Sequence, residues 1–119
     1  MDQVITDYFA AWNETDAGER GRLLAQALSD SAELVDPLGR WPGPVGVSER
    51  IARYQASAPG TKVVPGSGVD GHNDFERYAW KILDPAGNDV MEGLDVAQRD
   101  EAGRLCRITM FHGPLPPLD

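Results

Sequence analysis

Leu34-Val35-Asp36-Pro37-Leu38-Gly39 is the stretch on which the reading of this chain turns. Leu34 and Val35 end a short apolar run, Pro37 biases Asp36 toward extended backbone, and Gly39 completes a turn signal. It reads as a strand entering a tight turn with a carboxylate at its last position. Upstream, Val4, Ile5, Tyr8, Phe9 and Trp12 fall on one face of a helix running from Asp2 to Asn13, with Asp2 as its N-cap. Asp16, with Glu19 three residues on, opens a second helix whose buried stripe is Leu23, Leu24, Ala27 and Leu28. Ser29-Asp30-Ser31 is expected to break that helix and leave a short strand, Ala32 to Val35. Beyond the turn, Pro42, Gly43, Pro44 and Gly46 are expected to keep the chain irregular until Val47, Ile51, Ala52 and Tyr54 mark a third helix, which ends before Pro59-Gly60.

From Thr61 the texture becomes extended. Lys62 to Val69 carries valines interrupted by Pro65, Gly66 and Gly68, the pattern of a bent or bulged strand. Phe75–Leu83, Asp89–Gln98 and Arg104–His112 then read as strands, separated by the turns Asp84-Pro85-Ala86-Gly87-Asn88 and Asp100-Glu101-Ala102-Gly103. Three helices followed by a meander predict an α+β domain over residues 1–113, with 114–119 as a short tail. The 119 residues, 41% hydrophobic and 25% charged, suit one globular domain. Nineteen acidic against eleven basic side chains, a formal charge of −8, disfavour nucleic-acid and anionic-membrane partners, which need clustered Lys and Arg. The lone Cys106 allows no internal disulfide, and the N-terminal residues show no secretory pattern, so a reducing, cytoplasmic setting is expected.

Few polar residues stand where they could do chemistry. Asp36 closes an apolar strand, and desolvation there would raise its pKa and suit it to general-base work, about a unit above its ordinary value. The plainer role is that of a turn residue. Strand alternation puts Met91, Gly93, Asp95 and Ala97 on one face; if that face is buried, Asp95 is held protonated and can donate a hydrogen bond. If the other face is buried, Asp95 is a solvated strand residue. Tyr8 shares a helical face with Ile5 and Trp12, so its hydroxyl needs a partner. His112 faces the same way as Met110 and Ile108, whereas His72 reads as a turn residue. No metal-ligand spacing, cysteine nucleophile, P-loop, hydrolase elbow or dinucleotide fingerprint is present, and neither a metal nor a cofactor is expected.

These residues carry a resemblance. Tyr8-Phe9-Ala10-Ala11-Trp12-Asn13 ahead of a second helix, the Val35-Asp36-Pro37-Leu38-Gly39 turn, and Gly93-Leu94-Asp95-Val96 followed by Asp100-Glu101-Ala102-Gly103-Arg104-Leu105 resemble the nuclear transport factor 2-like superfamily, most closely its SnoaL-like and ketosteroid isomerase branch. The resemblance spans nearly the whole chain. It implies a cone-shaped, cystatin-like roll: three N-terminal helices packed on a curved, mixed, mainly antiparallel sheet around a deep apolar pocket, with a homodimer through the outer sheet face. It further implies Asp36 as catalytic base and Tyr8 with protonated Asp95 as oxyanion donors. Tyr8 stands eight residues before Asp16, and Asp95 opens an Asp-Val-x-x-x-Asp-Glu-x-Gly-Arg element, both as in the isomerase. His112 departs from the pattern, occupying a position where the isomerase has an aromatic pocket residue.

The expected ligand is a small apolar molecule bearing a carbonyl group, in a pocket shaped by Trp12, Trp41, Tyr54, Tyr78, Trp80, Met91, Met110 and His112. Proton transfer next to that carbonyl would serve an isomerisation or a polyketide cyclisation equally well; epoxide opening is a third chemistry of such folds. The alternative is a non-catalytic ligand-binding or accessory protein on the same scaffold, because fold does not fix function.

Overall fold

A computed structural model describes all of residues 1–119. Helix α1 (Gln3–Asn13) begins where the Asp2 carboxylate accepts the Ile5 N–H at 3.1 Å, and α2 (Ala17–Ala27) where Asp16 accepts the Glu19 N–H at 2.8 Å. Strand β1 (Leu28–Asp36) follows α2 without a linker. The Ser29-Asp30-Ser31 stretch, expected as a break, lies within β1. Its polar residues fall where the pairing of β1 with β7 (Leu105–His112) shifts register between Leu28 and Glu33, so they mark a bulged segment and not a loop. Past it, Ala32, Leu34 and Asp36 alternate onto the buried face.

The second departure lies after the turn. Asp36 and Gly39 pair across a two-residue connection, and Gly39–Pro42 forms β2, antiparallel to β1. Helix α3 then runs from Gly43 to Ser57, four residues earlier than Val47. Pro44 does not prevent this, because the first turn of a helix uses no intrahelical N–H. The remaining strands are β3 (Lys62–Pro65), β4 (Asp70–His72), β5 (Phe75–Leu83) and β6 (Asp89–Arg99). Pro65 and the glycines after it end the expected bent strand, Lys62 to Val69, after its first half as β3, and β4 begins only beyond it; both are antiparallel to β5. His72 ends β4, one residue before the turn at Asn73.

The sheet order is β2-β1-β7-β6-β5-β3, with β4 also on β5; β1 and β7 are parallel and every other pair is antiparallel. This mixed, unclosed sheet under three helices is the expected α+β roll. One face of β5, β6 and β7 turns toward the helices and carries Tyr78 and Trp80, Gly93, Asp95 and Ala97, and Ile108 and Met110. Ile5, Tyr8, Phe9 and Trp12 of α1 and Val47 and Ile51 of α3 complete the same core. On the opposite face Leu94 and Phe111, paired across β6 and β7, are exposed. Leu115 and Leu118 in the tail are exposed too. No helix is long and apolar enough to cross a membrane.

Gly93 is required by close approach. A Cβ built there would stand 2.1 Å from Trp80 Cζ2 and 2.3 Å from the Phe111 carbonyl oxygen, so the indole lies flat over the glycine. Gly93→Ala must push Trp80 off the sheet, and overpacking of this kind costs about 1–3 kcal/mol. Its denaturation midpoint should fall accordingly, while Gly68→Ala, where added volume meets nothing within 4 Å, should leave it within about 0.5 kcal/mol.

Candidate active site

Helices α1 and α3 and the inner faces of β5–β7 enclose a cavity of about 340 Å³, lined by 16 residues of which 11 are hydrophobic. Tyr8 enters from the buried stripe of α1, and Asp95 from the middle of β6. Both are almost completely buried, at 1% and 2% exposure. Neither the Tyr8 hydroxyl nor Asp95 Oδ1 has a hydrogen-bond partner within the protein, and the same holds for the Tyr78 hydroxyl and the Trp80 indole N–H. Buried polar groups are nearly always paired, so the bare Tyr8 hydroxyl and Asp95 Oδ1, both on the cavity wall, leave room for an external partner.

Burial sets their protonation. It pushes the Asp95 carboxyl up to about 7, a displacement that Tyr78 and Trp80, both turned toward the carboxyl, only partly offset. Burial also holds Tyr8 and Tyr78 well above the ordinary phenol value, with the Asp95 charge adding to it, so both keep their protons. Asp95 and Tyr8 are therefore hydrogen-bond donors below pH 7. His112 lines the cavity with its ring edge-on to Trp80, centroids 5.4 Å apart. His112 is exposed as a residue, but partial burial of its imidazole lowers its pKa below 6.5; Asp36 opposes this and Arg50 adds to it, so the ring is mainly neutral at pH 7.

Asp36 corrects an expectation. Its carboxylate is buried but does not line the cavity. Oδ2 accepts the Arg50 Nε–H at 2.6 Å, and Oδ1 accepts the Leu38 N–H at 3.0 Å and the Trp41 indole N–H at 3.1 Å. Burial raises its pKa, but the hydrogen bonds and charge of Arg50, with Trp41 and Leu38, win and hold it below the ordinary value instead of a unit above it. Trp41 is thus spent on Asp36 and is not a wall of the cavity. Tyr78 also lies behind the wall, packed edge-on against Phe9 at 5.5 Å, and reaches the site through Asp95. Trp12, Tyr54, Trp80, Met91, Met110 and His112 do line it, as do Tyr8 and Asp95.

The cavity residue the sequence reading missed is Arg50. It is buried, its guanidinium lies 5.9 Å from the Trp12 ring and 6.0 Å from the Trp41 ring, and it lines the cavity. The signal was present: Arg50 stands three residues after Val47 and four before Tyr54, a charge on the apolar stripe of α3. No cluster of three or more His, Cys, Asp or Glu side chains stands close enough to hold a metal ion.

This architecture is shared with solved structures. An isomerase candidate of the SnoaL-like family from Agrobacterium tumefaciens C58 superposes with a TM-score of 0.88 at 33% identity, over 96% of this chain and 100% of that one. The chain belongs to the SnoaL-like family. A polyketide cyclase candidate from Sinorhizobium meliloti matches with a TM-score of 0.72 at 16% identity, over 93% of this chain and 95% of the other. A cystatin-like-fold protein of unknown function from Methylobium petroleophilum PM1 matches with a TM-score of 0.74 at 16% identity, over 96% and 76%. At those identities the likeness speaks for the SnoaL-like fold alone. No family model matches the sequence, and no curated protein matches it as a relative.

Asp95 makes stability depend on pH with a definite sign. Its folded pKa, about 7, exceeds the unfolded value of 3.8, so between them the native state holds a proton that the unfolded chain has lost. Stability from this group is fully present below pH 3.8 and declines as pH rises through about 7, by at most about 4 kcal/mol. Asp36 acts in the opposite sense and in another window, lost only as pH falls below 3.8. Urea unfolding of wild type and Asp95→Asn at pH 4.5 and 8 should show the variant gaining on the wild type at the higher pH. Parallel curves would mean that Asp95 is ionised in the native state throughout.

Proposed function

We propose that this SnoaL-like protein is a cofactor-independent enzyme that moves a proton next to the carbonyl group of a small apolar substrate. The observation that carries the reading is the pair of unpartnered donors, the Tyr8 hydroxyl and protonated Asp95, on the wall of an apolar cavity. A carbonyl oxygen accepting from both would be stabilised most as it becomes an enolate oxygen, the arrangement that lowers the barrier to C–H proton removal. The isomerase and cyclase candidates among its structural neighbours are compatible with this, since an enolate either takes the proton back at another carbon or attacks a second carbonyl.

The base in this reading is neutral His112 and not Asp36. An aspartate and a histidine ordinarily titrate with the carboxyl ionised first, but here environment draws the two values toward inversion, Asp95 up to about 7 and His112 below 6.5. The result is an acid and a base facing one cavity at near-neutral pH. Asp36, held by three donors of which one is the Arg50 cation, is a weak proton acceptor and serves to orient Arg50. A second copy of the chain is part of the same reading, supported by the exposed Leu94 and Phe111 on the outer sheet face. Light scattering should then give twice the monomer mass, and Phe111→Glu should return it to one.

A panel of cyclic enones, dienones and polyketones tests the chemistry. Tyr8→Phe should lower kcat by about 10²–10³ and His112→Gln by about 10²–10⁴, with Asp36→Asn the smallest of the three effects. The rate should follow a narrow bell, its alkaline limb near pH 7 from Asp95 and its acid limb below pH 6.5 from His112. Binding of panel members without turnover would sink the enzyme reading in favour of a ligand-binding protein. A rate lost in Asp36→Asn but kept in His112→Gln would return the base to Asp36.

A further inference from the structure

Arg50 carries more hydrogen-bonding capacity than the protein uses. A guanidinium has five N–H donors, and only Nε–H is engaged, by Asp36. Nη1 and Nη2 make no hydrogen bond to any protein group, although the side chain is buried and forms part of the cavity wall. The guanidinium has little freedom to turn away, because its Nε edge is tied to β1 through Asp36 and the indoles of Trp12 and Trp41 flank it at about equal distance. An exposed arginine can leave its donors to water. The Nη groups of Arg50, whose side chain is 8% exposed, open onto an apolar cavity, where an acceptor on the ligand would take the place of water.

We infer that the ligand of this cavity carries a carboxylate which the free Nη groups of Arg50 bind, so that the substrate is an apolar keto acid or similar oxo-carboxylate. The inference rests on the proposed function for the carbonyl end and adds the acid at the other. The planar fork of a guanidinium matches two carboxylate oxygens and favours an anion over a single neutral oxygen. No negative charge on the cavity wall opposes it: Asp95 is the one carboxyl lining the cavity and stays protonated up to about pH 7, while the Asp36 charge is spread over Arg50, Trp41 and Leu38 behind the wall. A chain of net charge −8 with a single cationic side chain on this cavity suits one carboxylate and not a polyanion such as a nucleotide.

Isothermal titration at pH 6.5 with 2-naphthoate, 2-naphthamide and methyl 2-naphthoate separates the alternatives. Wild type should bind the acid at least tenfold more tightly than either neutral probe. Arg50→Gln should abolish that preference. Because this variant strands the Asp36 carboxylate and could fail to fold, the doubly neutral Asp36→Asn/Arg50→Gln protein, checked by circular dichroism, carries the same arm. Equal binding of the three probes by wild type overturns the inference, as does binding of none, and so does a preference that survives in the folded double variant. Preference for the acid with no turnover on any panel ketone counts against the proposed chemistry alone, and turnover of neutral ketones without the preference counts against the carboxylate alone.

Discussion

The buried ion pair between Asp36 and Arg50 constrains this molecule more than any other contact. It joins the end of β1 to the middle of α3, with both side chains nearly inaccessible and Nε 2.6 Å from Oδ2. Taking two charges out of water is expensive, and such a pair survives only when further hydrogen bonds satisfy the carboxylate. The turn supplies them. Leu38 and Trp41 donate to Oδ1, so the Pro37-Leu38 connection and β2 exist in part to complete the coordination of Asp36. Losing one partner of a buried pair strands the other at a cost of about 3–5 kcal/mol, which makes the turn, the edge strand and the third helix one cooperative unit.

The pair also decides how the cavity works. By fixing the Nε edge of Arg50 it leaves the Nη edge to the cavity, and by saturating Asp36 it removes from proton transfer the carboxylate whose sequence context most resembles a base. The polar groups that do face the cavity from the sheet are brought together by pleat and register. Asp95 pairs with Tyr78 on one side and Met110 on the other, and Gly93 pairs with Trp80 and His112, so alternate residues of three neighbouring strands share one inner face, from which Trp80, Asp95, Met110 and His112 line the cavity. That wall is dry enough around Asp95 to keep its carboxyl protonated near neutral pH, whereas His112, at the end of β7, is exposed.

Much of this was legible in the sequence, and the failures have physical causes. Period-2 and period-3.6 patterns placed α1, β5, β6 and β7 almost to the residue, and they put Tyr8 on an inward face; for Asp95 they left both faces of β6 open, and the structure buries the one with Gly93, Asp95 and Ala97. Local signals misled where tertiary pairing outweighed them. Ser29-Asp30-Ser31 is a poor strand on its own and runs as a bulge between Leu28 and Glu33, which do pair with β7; Pro42 through Gly46 looks like a loop, yet Pro44 sits where a helix tolerates it. The site was harder to read for one reason. Whether Asp36 acts as a free base or a bound counter-ion depends on a residue 14 positions away on another element, and no spacing argument reports which way Arg50 points. The same applies to Trp41 and Tyr78, aromatic residues of the right kind that face Asp36 and Phe9 instead of the cavity.

Charge in this protein is therefore sorted by position and not by composition. Its ion pairs at the surface, such as Arg77 with Asp70 and Lys81 with Asp89, are solvated, and pairs of that kind contribute about 0–1 kcal/mol each. The excess of acidic side chains is largely an outer feature. Around the cavity, the Asp95 carboxyl is neutralised by a proton and that of Asp36, behind the wall, by a guanidinium, so the cavity carries almost no net charge while remaining strongly polarised, with O–H donors on the Tyr8 and Asp95 side and N–H donors at Arg50. An apolar volume of about 340 Å³ with donors in two places, Tyr8 with Asp95 and Arg50, and no unpaired anion on its wall favours molecules that present acceptors at both. Selectivity in such a site comes from the cost of leaving either set of donors bare, and a purely hydrocarbon ligand of the right shape meets neither.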